Sequence, residues 1–160
     1  MKAASLVDIK KELREMDSEQ MAAMLLRLAK FKKDNKELLT YLIFEAPDED
    51  AYIDLIKEYV DDALDEVNTH SYYYAKKNIR KILRQLNKYI RYSGEKRTEL
   101  ELLLYFCLGV QKRDINIHGG SVLKNMYQSQ VKKIKAAYGK LHADLQTDYK
   151  QEVEKAEDYL

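Results

Sequence analysis

Apolar residues recur every three or four positions along most of this chain, which is the spacing of amphipathic α-helices. The pattern predicts helices at residues 6–13, 18–33, 36–45, 48–67, 72–92 and 98–112, and a last helix from residue 121 onwards. The segment 36–45 is mostly apolar, so we expect its surroundings to be core. The fold class that follows is all-α, with no sheet.

Capping and breaking residues set the predicted boundaries. Asp17 has the character of an N-cap for the second helix, and residues 34–35 predict the turn after it. Pro47 ends the third helix because the residue before a proline avoids the helical region. Gly94 ends the fifth helix in the position where helices commonly end on glycine.

The last helix has an apolar stripe that passes through Gly139 without a change of register. Its members are Tyr127, Val131, Ile134, Tyr138, Leu141 and Leu145. A single helix here would be about 58 Å long, so the prediction is seven helices with a long C-terminal one, or eight if Gly139 breaks it. Apolar residues are sparse after about residue 146, and we expect that end to fray or to pack on a partner.

Length and composition favour one domain, residues 1–160, arranged as an array of helical hairpins. A short similarity between residues 26–41 and 83–105 suggests a duplicated hairpin unit. The longest apolar run, residues 102–110, is too short to cross a membrane, and the first residues lack an apolar leader. With a single cysteine as well, the sequence predicts a cytoplasmic protein without a membrane segment.

Parts of the middle of the chain resemble a family of small bacterial all-helical proteins of unknown function. The resemblance is carried by residues 28–31 and 35–39, by Pro47 and by the basic run at residues 75–81. It implies a helical fold and a cytoplasmic location, and it brings no catalytic residue with it.

Charge is strongly segregated although the whole chain is nearly neutral, with 28 basic and 27 acidic residues. Residues 45–66 carry ten acids and one base, whereas residues 67–98 carry nine bases and one acid. On the fifth helix the bases share the side opposite the apolar stripe. This basic face, as we call it, consists of Tyr73, Lys77, Arg80, Arg84, Lys88 and Arg91.

Three interpretations of the basic face stay open at this point. It is a merely solvated surface, a contact surface for an acidic protein partner, or a single-stranded nucleic-acid site in which tyrosines stack on bases. Self-association through the opposite charge stripes, or through the C-terminal helix, is a further expectation. We expect a non-enzymatic interaction or scaffold protein, with a protein partner ranked above nucleic acid.

Two weaker motifs suggest chemistry. The loop His118, Gly119, Gly120 and Ser121 opens a helix and has the layout of a backbone anion site, with Ser121 as an alternative helix cap. Glu12 with Glu15, and Glu58 with Asp61, match the carboxylate pairs of all-helical, Mg²⁺-dependent nucleotide pyrophosphohydrolases. The gap between these pairs is longer than that family's pattern, so the enzyme is only the second alternative.

The remaining reactive residue types give no site. The three histidines are far apart in the sequence, without the spacing of a zinc or di-iron centre. Cys107 lies in an apolar run and is predicted to be buried and structural. We therefore expect no metal, no cofactor and no catalytic residue.

Overall fold

In a computed structural model, the chain is described from residue 2 to residue 160. These residues form eight α-helices and no strand, which confirms the all-α prediction. The helices are α1 (Leu6–Arg14), α2 (Ser18–Phe31), α3 (Lys33–Thr40), α4 (Glu49–Asp65), α5 (Tyr72–Ser93), α6 (Lys96–Lys112), α7 (Ser121–Tyr138) and α8 (Ala143–Asp158). A π-helical segment, Tyr41–Glu45, follows α3, and a 3-10 turn, Ile117–Gly119, precedes α7.

The helices fall into two compact units, one ending at Phe44 and the other spanning Glu45–Leu160. The first unit holds α1 to α3 and the second holds α4 to α8. That the whole chain acts as one domain stays a prediction.

In the first unit, α2 packs against α3. Asp17 caps α2 as predicted: its Oδ1 accepts the Gln20 N–H at 2.8 Å, while the Gln20 side chain accepts the Asp17 N–H at 3.2 Å. The break between the helices falls at Lys32, so the turn predicted at residues 34–35 is wrong. The Asn35 side chain donates to the Leu28 carbonyl oxygen at 2.9 Å, which satisfies the end of α2 from within α3.

The expected core around residues 36–45 is also wrong. Only Tyr41 of that segment is buried, while Leu42, Ile43 and Phe44 are exposed. Helices α1, α2 and α3 contain no buried residue at all. The apolar residues that follow Tyr41 in this segment are therefore exposed, where the pattern had predicted a core.

In the second unit, α6 is the central helix, in contact with α4, α5, α7 and α8. Its sequence between Leu100 and Val110 is buried on nearly all sides, which explains why it is apolar without strong periodicity. The predicted start of α4 and the predicted end of α5 are confirmed by their capping groups. Asp48 Oδ1 accepts the Ala51 N–H at 3.0 Å, and Gly94 ends α5 with a φ of 72° that favours glycine.

The long C-terminal helix is not formed, and the alternative of eight helices is confirmed. Gln146 closes the break because its side-chain amide donates to the carbonyl oxygens of Tyr138 and Leu141, at 3.0 and 2.9 Å. The Tyr138 hydroxyl in turn donates to the Gln146 carbonyl oxygen at 2.9 Å. Where fraying or a partner was expected, α8 stays helical and packs on α6 and α7 with Val153 and Ala156 buried.

The suggested duplication pairs α2–α3 with α5–α6. The matching positions differ in burial, since Leu26 is exposed and Leu83 is buried. Any common origin of the two hairpins is therefore not reflected in a common packing role.

Candidate functional site

Helix α5 separates apolar and basic residues onto opposite sides. Its buried residues are Ala75, Ile79, Ile82, Leu83, Leu86 and Ile90. On the other side five members of the basic face are exposed and Lys88 is half-buried. At 100° per residue, the six positions fall within an arc of about 80°, so the helix presents them as one surface.

Most of these cations have no partner in the chain. Within residues 2–160, the side chains of Lys77, Arg80, Arg84 and Arg91 make no ion pair, hydrogen bond or ring contact. Successive members are one or two helical turns apart, and the stretch from Lys77 to Arg91 is about 21 Å long. The surface therefore carries uncompensated positive charge along much of α5.

The neighbouring acidic helix directs carboxylates to α6. Asp61 and Asp65 of α4 both pair with Arg113, at 2.9 and 2.6 Å. Asp50 pairs with Arg97. Part of the acidic charge of α4 is therefore neutralised by arginines at the two ends of α6, Arg97 and Arg113, and not by the bases of α5.

Helices α4 and α5 meet through aromatic and apolar side chains instead. The rings of Tyr59 and Tyr89 pack edge to face with centroids 5.6 Å apart. The Tyr52 hydroxyl donates to the Tyr89 carbonyl oxygen at 3.0 Å. This contact leaves the outer side of α5, with its bases, facing solvent.

Aromatic rings lie at the N-terminal end of the basic face. Tyr73 and Tyr74 are 61% and 52% exposed and pack edge to face with centroids 5.4 Å apart. The Lys76 ammonium lies 5.6 Å from the centre of the Tyr73 ring. Successive helical residues point about 100° apart, so three consecutive tyrosines cannot all face the core.

Tyr72 points into the loop that was considered for anion binding. Its hydroxyl oxygen accepts the Leu123 N–H at 3.3 Å, and its ring packs so close to Gly120 that a Cβ there would come within 2.5 Å of it. Helix α7 begins directly at Ser121, with Gly120 as the N-cap, so Ser121 is not the cap. The Leu123 N–H, which an anion at the start of α7 would need, therefore already has a partner.

The other loop residues are also engaged or turned elsewhere. His118 Nε2 lies 3.1 Å from the Tyr159 carbonyl oxygen, and its ring packs on that of Tyr159. Gly119 ends the 3-10 turn, where an added Cβ would lie 3.3 Å from the side-chain nitrogen of Asn116. The loop is held by side chains of the second unit on several sides.

Of the carboxylates considered for Mg²⁺, Glu12 lies on α1 and Glu15 directly follows that helix, whereas Glu58 and Asp61 lie on α4. Asp61 accepts hydrogen bonds from Tyr105 and Arg113, and the Tyr105 bond is the main cause that lowers the pKa of this carboxyl below its usual value. Across residues 2–160, no three His, Cys, Asp or Glu side chains group as a metal site would require.

A polar cleft between α4, α6 and α8 was missed at the level of sequence. Its volume is about 260 Å³, and its lining includes Lys57, Glu101 and Tyr149. Glu101 accepts from the Tyr149 hydroxyl at 2.6 Å, from Arg97 Nε at 2.8 Å and from Lys57 Nζ at 3.3 Å. The cluster joins three helices, and only the Arg97–Glu101 spacing of four residues was visible in the sequence.

The electrostatics of this cleft indicate a structural network. Burial raises the pKa of Glu101, but the hydrogen bonds from Tyr149 and Arg97 outweigh it and hold the pKa below the usual value. Burial, and then the bond to Glu101, raises the pKa of Tyr149 to about 12. The carboxylate is thus ionised with three donors around it, which is a poor state for a general acid.

Cys107 is buried, as predicted, and burial raises the pKa of its thiol to about 12. A thiol in that state is not a nucleophile at neutral pH.

Comparison with known proteins found no matching family model, no matching curated protein and no matching solved structure. In the described part of the chain, none of the helices combines the length and the apolar character that crossing a membrane would take.

Proposed function

We propose that the protein is a non-enzymatic interaction or scaffold protein, acting in the cytoplasm, whose basic face contacts an acidic protein partner. The observation that supports it is a row of exposed cations without partners, on a helix whose other side is buried in the second unit. Like charges held in a row along a helix repel one another, and this repulsion is reduced when a partner or the solvent compensates the charge. An acidic partner would do so with specificity.

The spacing of the cations favours a regular partner. Lys77, Arg80, Arg84 and Arg91 lie three, four and seven residues apart, so they follow one side of α5. An acidic helix laid along this side could place a carboxylate near each of them. Arginine suits such a contact because its planar guanidinium binds a carboxylate through two hydrogen bonds.

Rim charges mostly set association rate and specificity, whereas aromatic side chains contribute affinity at contact centres. Tyr73 and Tyr74 are placed to supply that affinity at one end of the face, since both rings are exposed. The proposed contact therefore extends from the two tyrosines to Arg91.

Single-stranded nucleic acid is the second candidate, and the same two rings favour it. Unpaired bases stack on exposed aromatic rings, at about 1–3 kcal/mol per base, while neighbouring cations contact phosphates. The near-neutral total charge weighs against this candidate, because nucleic-acid-binding domains are commonly basic overall.

The test uses a charge-reversal variant, K77E/R80E/R84E, whose three side chains point away from the core. Immobilised full-length protein is incubated with extract of the cells that naturally make it, at low ionic strength. We expect an acidic protein to be captured by the wild type, and its affinity for the purified variant to fall about 30-fold or more. Circular dichroism should show an unchanged helical content.

A matched control carries the same change of charge elsewhere. In K140E/K150E/K155E the three lysines are exposed and lie in or next to α8. This control should bind the captured protein like the wild type. Equal loss in both variants would mean that only the total charge matters, and the proposal for the basic face would be wrong.

A parallel titration with mixed-sequence single-stranded RNA separates the two candidates. Nucleic acid would be supported in place of a protein by two results together. The affinity for RNA should fall with salt, with a slope of log K against log salt of about 0.7 per phosphate contact, and Y73A should reduce that affinity. Absence of both RNA binding and a captured acidic protein would leave the basic face as a solvated surface.

A further inference from the structure

The first unit exposes an unusual amount of apolar side chain. Fourteen large apolar residues of α1, α2, α3 and the π-helical segment are exposed, and Phe31 and Phe44 exceed 70% exposure. They are Leu6, Val7, Ile9, Leu13, Met21, Met24, Leu25, Leu26, Leu28, Phe31, Leu38, Leu42, Ile43 and Phe44. By contrast, the described part of the second unit has only Leu55 and three tyrosines in this class.

The exposed area is what a protein interface requires. With about 150–200 Å² for each fully exposed large side chain, these fourteen residues expose on the order of 1,000 Å². The largest apolar patch of an ordinary monomer is about 300–600 Å². A standard interface covers about 800 Å² on each partner, which is comparable to the exposed apolar area of this unit summed over its three helices and the π-helical segment.

Helix α2 carries the most regular part of this surface. Met21, Met24, Leu25, Leu28 and Phe31 fall within an arc of about 120° at helical spacing. Two of these residues, Leu25 and Leu28, also line a groove between α2 and α3, which has a volume of about 190 Å³ and an almost wholly apolar lining.

The stripe on α2 is complementary to itself when reversed. In an antiparallel pair of α2 helices centred between Met24 and Leu25, Met24 lies opposite Leu25, and Met21 lies opposite Leu28. The helix ends are opposite in charge, because Asp17 precedes α2 and Lys32 follows it. The same alignment places Asp17 of one copy opposite Lys32 of the other.

We infer that the first unit is a self-association module, in which α2 packs antiparallel on α2 of a second copy of this chain. A two-fold axis between Met24 and Leu25 makes the contact isologous, so it closes as a dimer and does not propagate. The self-association expected from charge stripes or from the C-terminal helix uses other surfaces. This dimer contact leaves the basic face of α5 outside the proposed interface.

The first experiment measures the mass of the full-length protein by sedimentation over a range of concentrations. We expect twice the chain mass of 18.9 kDa for the wild type. L25E places two carboxylates near the two-fold axis and should weaken the dimer about 100-fold or more. L26E is the matched control, because Leu26 is exposed on the same helix but about 100° further round, outside the stripe.

The second experiment distinguishes a direct contact from a loss of folding. L25E and L25K should each be monomeric, and mixing the two should restore dimers that contain one copy of each, since opposite charges then meet at the axis. The expected restoration needs both variants to be folded, so it cannot arise from damage to the unit.

Three results would overturn the inference. One is a wild type that stays monomeric across the concentration range. Another is a dimer that L25E leaves intact. The third is a loss of thermal stability in L25E without any change of mass, which would mean that the stripe is covered by its own chain.

Discussion

Replacing Gly109 by alanine tests how closely α4 and α6 pack in the second unit. A Cβ at Gly109 would come 2.7 Å from Cδ1 of Leu64 on α4, which is well inside van der Waals contact. Leu64 is only 2% exposed, so its methyl group cannot move without displacing other core atoms. The glycine therefore allows the two helices to approach each other.

Two effects of opposite sign set the magnitude. Alanine is a better helix former than glycine by about 1 kcal/mol in a helix interior. An added methyl group in a packed core costs about 1–3 kcal/mol. We expect the cost of the added methyl group to exceed the gain in helix propensity. The free energy of unfolding should fall by about 1 kcal/mol and the melting temperature by about 2–4 °C.

The assay is urea unfolding followed by the near-ultraviolet circular dichroism of tyrosine. Of the 13 tyrosines, only Tyr41 precedes Glu45, so this signal reports the second unit. Gly139→Ala is the matched control, because Gly139 has a helical φ of −64° and its nearest atom, the Lys135 carbonyl oxygen, is 3.4 Å from the added Cβ. This control should stabilise the unit by about 0.5 kcal/mol.

A double variant identifies Leu64 as the cause. L64A alone should cost about 2–5 kcal/mol because it leaves a cavity. In that background G109A should become stabilising, by about 0.5–1 kcal/mol, since the clash is gone and the helix propensity remains. If G109A stabilises the otherwise unchanged protein as G139A does, the argument about close α4–α6 packing is refuted.

Two further predictions concern ionisable groups. The pKa of Glu101 is lower in the folded than in the unfolded state. Its ionised form therefore adds to the free energy of unfolding at neutral pH, and this stabilisation is lost as the pH falls below the ordinary pKa of 4.5. E101Q should therefore lower the urea midpoint at pH 7, and its midpoint should decrease less between pH 7 and acid pH than that of the wild type. Midpoints that change with pH in parallel for the two proteins would contradict this. Cys107, with a pKa of about 12, should react with iodoacetamide at pH 8 about 100-fold or more slowly in the folded protein than in urea. Equal rates would show that the thiol is accessible.

Features fixed by neighbouring residues could be predicted from the sequence. The cap at Asp17 and the end of α5 at Gly94 depend on groups within a few residues, and both predictions were correct. The basic face could be predicted for the same reason, since helical periodicity alone decides which residues share a side.

Features that depend on distant or specific side chains could not be predicted. The break at Lys32, which depends on the Asn35 side-chain amide, was misplaced, and the break after Tyr138, which Gln146 closes, was anticipated only as an alternative. The pairing of α4 acids with α6 arginines requires the packing of the two helices to be known. The Glu101 cleft likewise draws on three helices that are far apart in the sequence.

The docking of α8 has a consequence for how the protein is made. Side chains from earlier helices hold its last turn: the Tyr127 hydroxyl donates to the Ala156 carbonyl oxygen at 3.1 Å, and Gln111 Nε2 donates to that of Lys155 at 3.1 Å. Because α6 is translated before α7 and α8, this most apolar helix of the second unit can pack on those two helices only after they have been made. Until then, the side of α6 that packs on α7 and α8 is open to aggregation and to chaperone binding.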